Sequence, residues 1–94
     1  MKLRVQYTAQ LRAAVGRTEE DVDLPESSNV AELLVHLATH RGRDAKPHLI
    51  TDDGQAQPSL LLVVNGSAVP AREATMTMLK PGDVVTLLPP IAGG

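Results

Sequence analysis

An α+β fold is predicted, with a four- or five-stranded mixed sheet carrying one main helix packed on one face. Three observations point to it. Residues 2–8, KLRVQYT, alternate polar and apolar with period two, the pattern of a half-buried strand. Residues 29–42 place Val30, Leu33, Leu34 and Leu37 on one helical stripe, with Ala38 beside it. Residues 59–69 and 84–88 are dense in Leu and Val and are bounded by turn residues.

Between these landmarks the chain reads in order. Residues 9–16, AQLRAAVG, are alanine-rich and closed by Gly16, which predicts a brief helical turn. Residues 18–24, TEEDVDL, alternate weakly and stop at Pro25, a second and more exposed strand. Asn29 suits the N-cap of the long helix, Glu32 three residues on can return the hydrogen bond, and Gly42 suits the left-handed position after the last turn. Residues 43–58 form a polar connection with Pro47, Gly54 and Pro58 and room for a short turn at 48–50. Asn65-Gly66 is a strong hairpin signal. Pro81 and Gly82 in KPGD stand where a type II turn wants them, and Pro89 and Pro90 end the strand 84–88. This order of elements is that of the ubiquitin-like β-grasp roll, in which the first and last strands lie parallel at the centre of the sheet. Residues 1–88 are expected to form that domain and residues 89–94 an extended C-terminal tail.

Length and composition exclude much. A chain of 94 residues, 43% apolar, is one small ordered domain whose core leaves no room for a large enclosed active site. It has no cysteine, hence no disulfide, thiolate metal site or thiol nucleophile; this is compatible with the cytoplasm, the expected location. No apolar run approaches the about 20 residues of a membrane span, so no membrane association is expected. The net charge is −2, Tyr7 is the sole aromatic residue, and the one basic cluster, HRGR at 40–43, has no stacking partner beside it. Nucleic acid is therefore not an expected partner.

The interior offers no catalytic constellation. His36 and His40 have the i, i+4 spacing of a metal pair, but a zinc site needs three or four ligands; no metal is expected. The acids of TEED at 18–21 read as charges that protect an exposed strand edge. The serines lack a histidine at a telling position, and no phosphate-loop pattern occurs.

One helix covers one face of a sheet, yet residues 60–64 and 84–88 are apolar at both parities. The second face is therefore expected to meet a partner, with Leu61, Val63, Val85 and Leu87 the candidate residues. The alternative is that residues 43–58 fold back over it. The terminus is the other candidate. Gly93-Gly94 has no side chains and can enter a channel closed to other sequences. Pro89 and Pro90 stiffen and aim it, Ile91 adds an apolar anchor, and Ala92 is small.

Over essentially its whole length the chain resembles the ubiquitin-like sulfur carriers, and most closely the small subunit of molybdopterin synthase. Tyr7, Ala9, Arg12 and Gly16 fit that subunit's aromatic–x–Ala–x–x–Arg–Glu–x–x–Gly segment, with Ala13 in place of Glu. Residues 29–37 resemble its helix start, 63–69 its hairpin, and KPGDVVTLLPPIAGG at 80–94 its last strand and ending. Leu87 and Leu88 stand where aromatics often precede Pro-Pro, and the 43–58 connection is longer than in compact members.

The resemblance implies that an E1-like enzyme adenylates Gly94 with ATP and that the product becomes a thiocarboxylate. The tail Pro90, Ile91, Ala92 and Gly93 would then enter the active site of the synthase large subunit and deliver sulfur for molybdopterin. It also implies a heterotetramer in function and no bound cofactor. Related carriers for cysteine, thiamin or specialised-metabolite synthesis, and protein modifiers, share such an ending.

Overall fold

A computed structural model describes residues 1–89. The elements run β1 Lys2–Tyr7, α1 Ala9–Val15, β2 Glu19–Asp23, α2 Val30–His40, α3 Lys46–Leu49, β3 Leu61–Val64, β4 Ser67–Val69 and β5 Val84–Leu88. A 3-10 turn at Ala71–Glu73 separates β4 from β5. The five strands form one sheet in the order β2-β1-β5-β3-β4, with β1 and β5 parallel and the other pairs antiparallel. This is the β-grasp architecture, and the first and last strands pair as its order of elements requires.

Local chemistry explains the elements. Asn29 Oδ1 accepts from Glu32 N at 2.8 Å and Glu32 Oε1 accepts from Asn29 N at 3.0 Å, a complete capping box that starts α2. Arg41 caps the other end, and Gly42 follows with φ 93°. In the β3–β4 hairpin both turn residues are left-handed, Asn65 at φ 51° and Gly66 at φ 85°, as a type I′ turn demands. The 43–58 connection holds a helix at 46–49 rather than a turn at 48–50, because Pro47 opens that helix in its first turn. Ile50 then bridges to Ala56 to close a small loop.

The core lies between α2 and the inner sheet face. Leu33, Leu34 and Leu37 of α2 meet Leu3, Val5 and Tyr7 of β1, Leu62 of β3, and Val85 and Leu87 of β5. Ala45 and Leu49 extend this core, and α3 packs against α2. Residues 43–58 thus contribute to the helix side of the molecule. Among the described residues no helix is long and apolar enough to cross a membrane.

Candidate functional site

The sheet's outer face is set by register. Leu62 pairs with Leu87 and Val64 with Val85, whereas Leu61 pairs with Leu88 and Val63 with Thr86. Directly paired residues share a face, so Val85 and Leu87 belong to the core, both fully buried. Their assignment to an exposed partner surface is corrected: the odd residues of β3 align with the even residues of β5. The outer face carries Leu61 and Val63 together with Val84, Thr86 and Leu88. Leu61 is 47% exposed and the others are partly so.

The flank of this face is polar. Through the β1–β5 pairing, Arg4 adjoins Val84 and Gln6 adjoins Thr86, whose hydroxyl donates to Gln6 Oε1 at 2.8 Å. Arg4 donates to Asp21 at 2.7 Å and to Glu19 at 2.9 Å, so two acids of the TEED run lie on the outer side of the edge strand β2. The site is therefore an aliphatic strip on β3 and β5 bordered by ion-paired charges. Its upper end is the end of β5. There the Thr8 hydroxyl donates to the Leu87 carbonyl at 3.1 Å, and Pro89 follows Leu88 at once. Pro90, Ile91, Ala92, Gly93 and Gly94, the tail assigned the chemistry, lie outside the described residues.

Glu20 departs from the role expected of the TEED acids. It shares a parity with Val22 and Leu24 and faces inward opposite Val5. Its side chain is only 6% exposed. Arg41 Nε and Nη2 both donate to its carboxylate at 2.6 Å, and the Tyr7 hydroxyl donates to it as well. Burial pushes the Glu20 carboxyl up, but the Arg41 and Tyr7 hydrogen bonds and the Arg41 charge outweigh it, leaving a net lowering. The Tyr7 phenol is raised, by burial first and by the Glu20 carboxylate second. The network ties the end of α2 to β1 and β2 at the edge where β5 finishes. Two signals could have located it: an acid on the parity of Val22 and Leu24, and an arginine at the helix end.

His36 and His40 stack with ring centroids 4.3 Å apart, and His40 Nδ1 lies 2.8 Å from the His36 carbonyl oxygen. Among the described residues no group of three His, Cys, Asp or Glu side chains is placed to hold a metal.

The fold and site define a small β-grasp domain whose last strand is central and is followed directly by a proline. The chain belongs to the ThiS family, whose model matches residues 5–94, a family of ubiquitin-like sulfur carriers and modifiers. It is similar to small archaeal modifier protein 3 of Haloferax volcanii, with 28% identity over all of both chains. It is also similar to a protein of Archaeoglobus fulgidus assigned as a sulfur carrier, 29% identical over 90% of this chain and 94% of that one. A solved structure from Pyrococcus furiosus, assigned as subunit 1 of molybdopterin converting factor, superposes with TM-score 0.75 and 29% identity. It covers 97% of this chain and 99% of that one.

Proposed function

We propose that the chain carries sulfur on its C-terminal Gly94 and donates it for molybdopterin synthesis. The observation that carries this reading is the Pro-Pro-Ile-Ala-Gly-Gly ending, placed in sequence directly after the central strand of a ThiS-family fold. A carboxylate is a poor electrophile. Attack of its oxygen on the α-phosphorus of ATP, held by an E1-like adenylating enzyme, releases pyrophosphate and gives an acyl-adenylate. A sulfur nucleophile then displaces AMP and leaves a thiocarboxylate. The partners are that enzyme and the synthase large subunit, assembled as a heterotetramer, and the chain itself holds no cofactor. The strip of Leu61, Val63, Val84 and Leu88 on β3 and β5 is the docking face. Burying each large aliphatic side chain there contributes roughly 1.5–3 kcal/mol before association costs.

The test is intact-mass analysis of the protein from its native cells, where one oxygen at Gly94 should be replaced by sulfur. Purified carrier, activating enzyme, ATP, a sulfur source and large subunit should then convert precursor to molybdopterin. Thiocarboxylate without conversion reassigns the carrier to cysteine, thiamin or specialised-metabolite synthesis. A second reading, protein modification, is favoured by the full-length similarity to small archaeal modifier protein 3. It predicts isopeptide-linked bands on denaturing gels that survive reductant.

A further inference from the structure

Thr8 joins the start of α1 to the end of β5. It is the N-cap of α1, with extended backbone at φ −131° and ψ 162°. Its carbonyl accepts from Leu11 N at 3.1 Å and from Arg12 N at 3.2 Å, the bonds that open the helix. A threonine at an N-cap ordinarily uses its hydroxyl to accept from the amide of the second or third helical residue. Here the side chain makes no capping bond. The hydroxyl donates instead to the Leu87 carbonyl, 79 positions away, at 3.1 Å.

The turn that aims the hydroxyl is strained. Ala9 follows with φ 49°, in the left-handed region. A Cβ crowds the following carbonyl there, and alanine, unlike asparagine, has no side-chain hydrogen bond to offset the crowding. Such strain persists where the surrounding contacts over-determine it. They do so here: Tyr7 pairs with Leu87 across β1 and β5, Leu11 is fully buried, and α1 packs on both of those strands. Leu87 and Pro89 are buried as well. The hydroxyl bond therefore sits in a closely held region, at the point where the chain leaves the sheet.

We propose that Thr8 is a positioning residue, a latch that fixes the direction in which the chain leaves β5. Its role in turnover rests on the reading that Gly94 is adenylated. The seven residues after Leu87 reach at most about 25 Å, so a tilt of about 10° at Leu87 moves the far end by up to about 4 Å. A misplacement of about 1 Å can cost a large factor in rate when two reacting atoms must meet in line. In adenylation the carboxylate oxygen meets the α-phosphorus of ATP as pyrophosphate leaves. Losing one hydroxyl at Thr8 leaves the strip of Leu61, Val63, Val84 and Leu88 intact. The latch therefore acts on turnover of the captured carrier and not on capture.

The test compares Thr8→Val, which keeps the β-branched shape and loses the hydroxyl, with Thr8→Ser, which keeps the hydroxyl. Because the hydroxyl caps no amide, neither variant uncaps α1. Exchange of labelled pyrophosphate into ATP is followed with the E1-like enzyme of the same cells and full-length carrier at concentrations spanning KM. Thr8→Val should lower kcat about fivefold and leave KM within about twofold, and Thr8→Ser should restore most of the wild-type rate. In the free carrier, the backbone NMR order parameter of Leu88 should fall in Thr8→Val and recover in Thr8→Ser. Unchanged resonances of Leu62 and Val85 show that each variant is folded. Wild-type kcat in Thr8→Val, a loss confined to KM, no rescue by Thr8→Ser, or a Leu88 order parameter indifferent to Thr8→Val would each overturn the proposal. Absence of exchange with the wild-type carrier would instead overturn the adenylation reading, and the latch would then be decided by Leu88 alone.

Discussion

Glu20 shows how one side chain joins three elements. Its carboxylate receives two hydrogen bonds from Arg41, one from Tyr7 and a longer one from Arg17 at 3.3 Å, in a nearly closed environment. Removing its charge leaves the Arg41 guanidinium half-served, so Glu20→Gln should lower unfolding stability by about 1–3 kcal/mol in urea titrations. At the other pole of the site, Leu61→Asp places a charge on a face that the core does not use. It should change stability by no more than about 0.5 kcal/mol, while weakening capture by the activating enzyme in a pull-down. Appending one alanine after Gly94 should leave the circular dichroism spectrum unchanged and abolish adenylation. Activity retained with that extension would remove every role for a free terminal glycine.

At the scale of elements, the capping box is the clearest agreement between sequence and local structure. Asn29→Ala removes one of its two reciprocal bonds and the side chain's link to Thr75, and should cost about 1 kcal/mol in thermal melts. The α2 stripe and both turns with left-handed glycines were legible because each rests on residues close in sequence, whereas the central pairing of the first and last strands came from the order of elements. Which side of β3 and β5 faces outward was not. That depends on a register between strands some 20 residues apart, and Val and Leu at both parities left it unmarked. Glu20 and Arg41 were each marked, one by sharing the parity of Val22 and Leu24 and the other by its place at the helix end, but nothing local shows that two residues 21 positions apart meet.

For the molecule as a whole, the titrating groups lean one way in acid. Glu20, lowered from its usual 4.5, contributes stability above that value and loses it as pH falls through the lower folded-state value. His36, lowered from 6.5, is protonated more readily in the unfolded chain, so stability begins to fall below about pH 6.5. Tyr7 is raised above 10.0, so the unfolded chain ionises first and stability declines in strong base. Urea midpoints measured from pH 4 to 11 should therefore peak near neutrality, with Glu20→Gln flattening the acid limb below about pH 4.5. The parallel pairing of β1 with β5 has a mechanical consequence. Tension applied between the start of β1 and the far end of β5 runs along both strands. It loads their hydrogen bonds together in shear and does not peel them apart one by one. Among the described residues β5 is also the strand that links the β1–β2 and β3–β4 pairs within the sheet. A load on the tail is thus borne by the strand pair that holds the two halves together, and a force-extension trace should show one high rupture rather than a stepwise unzipping.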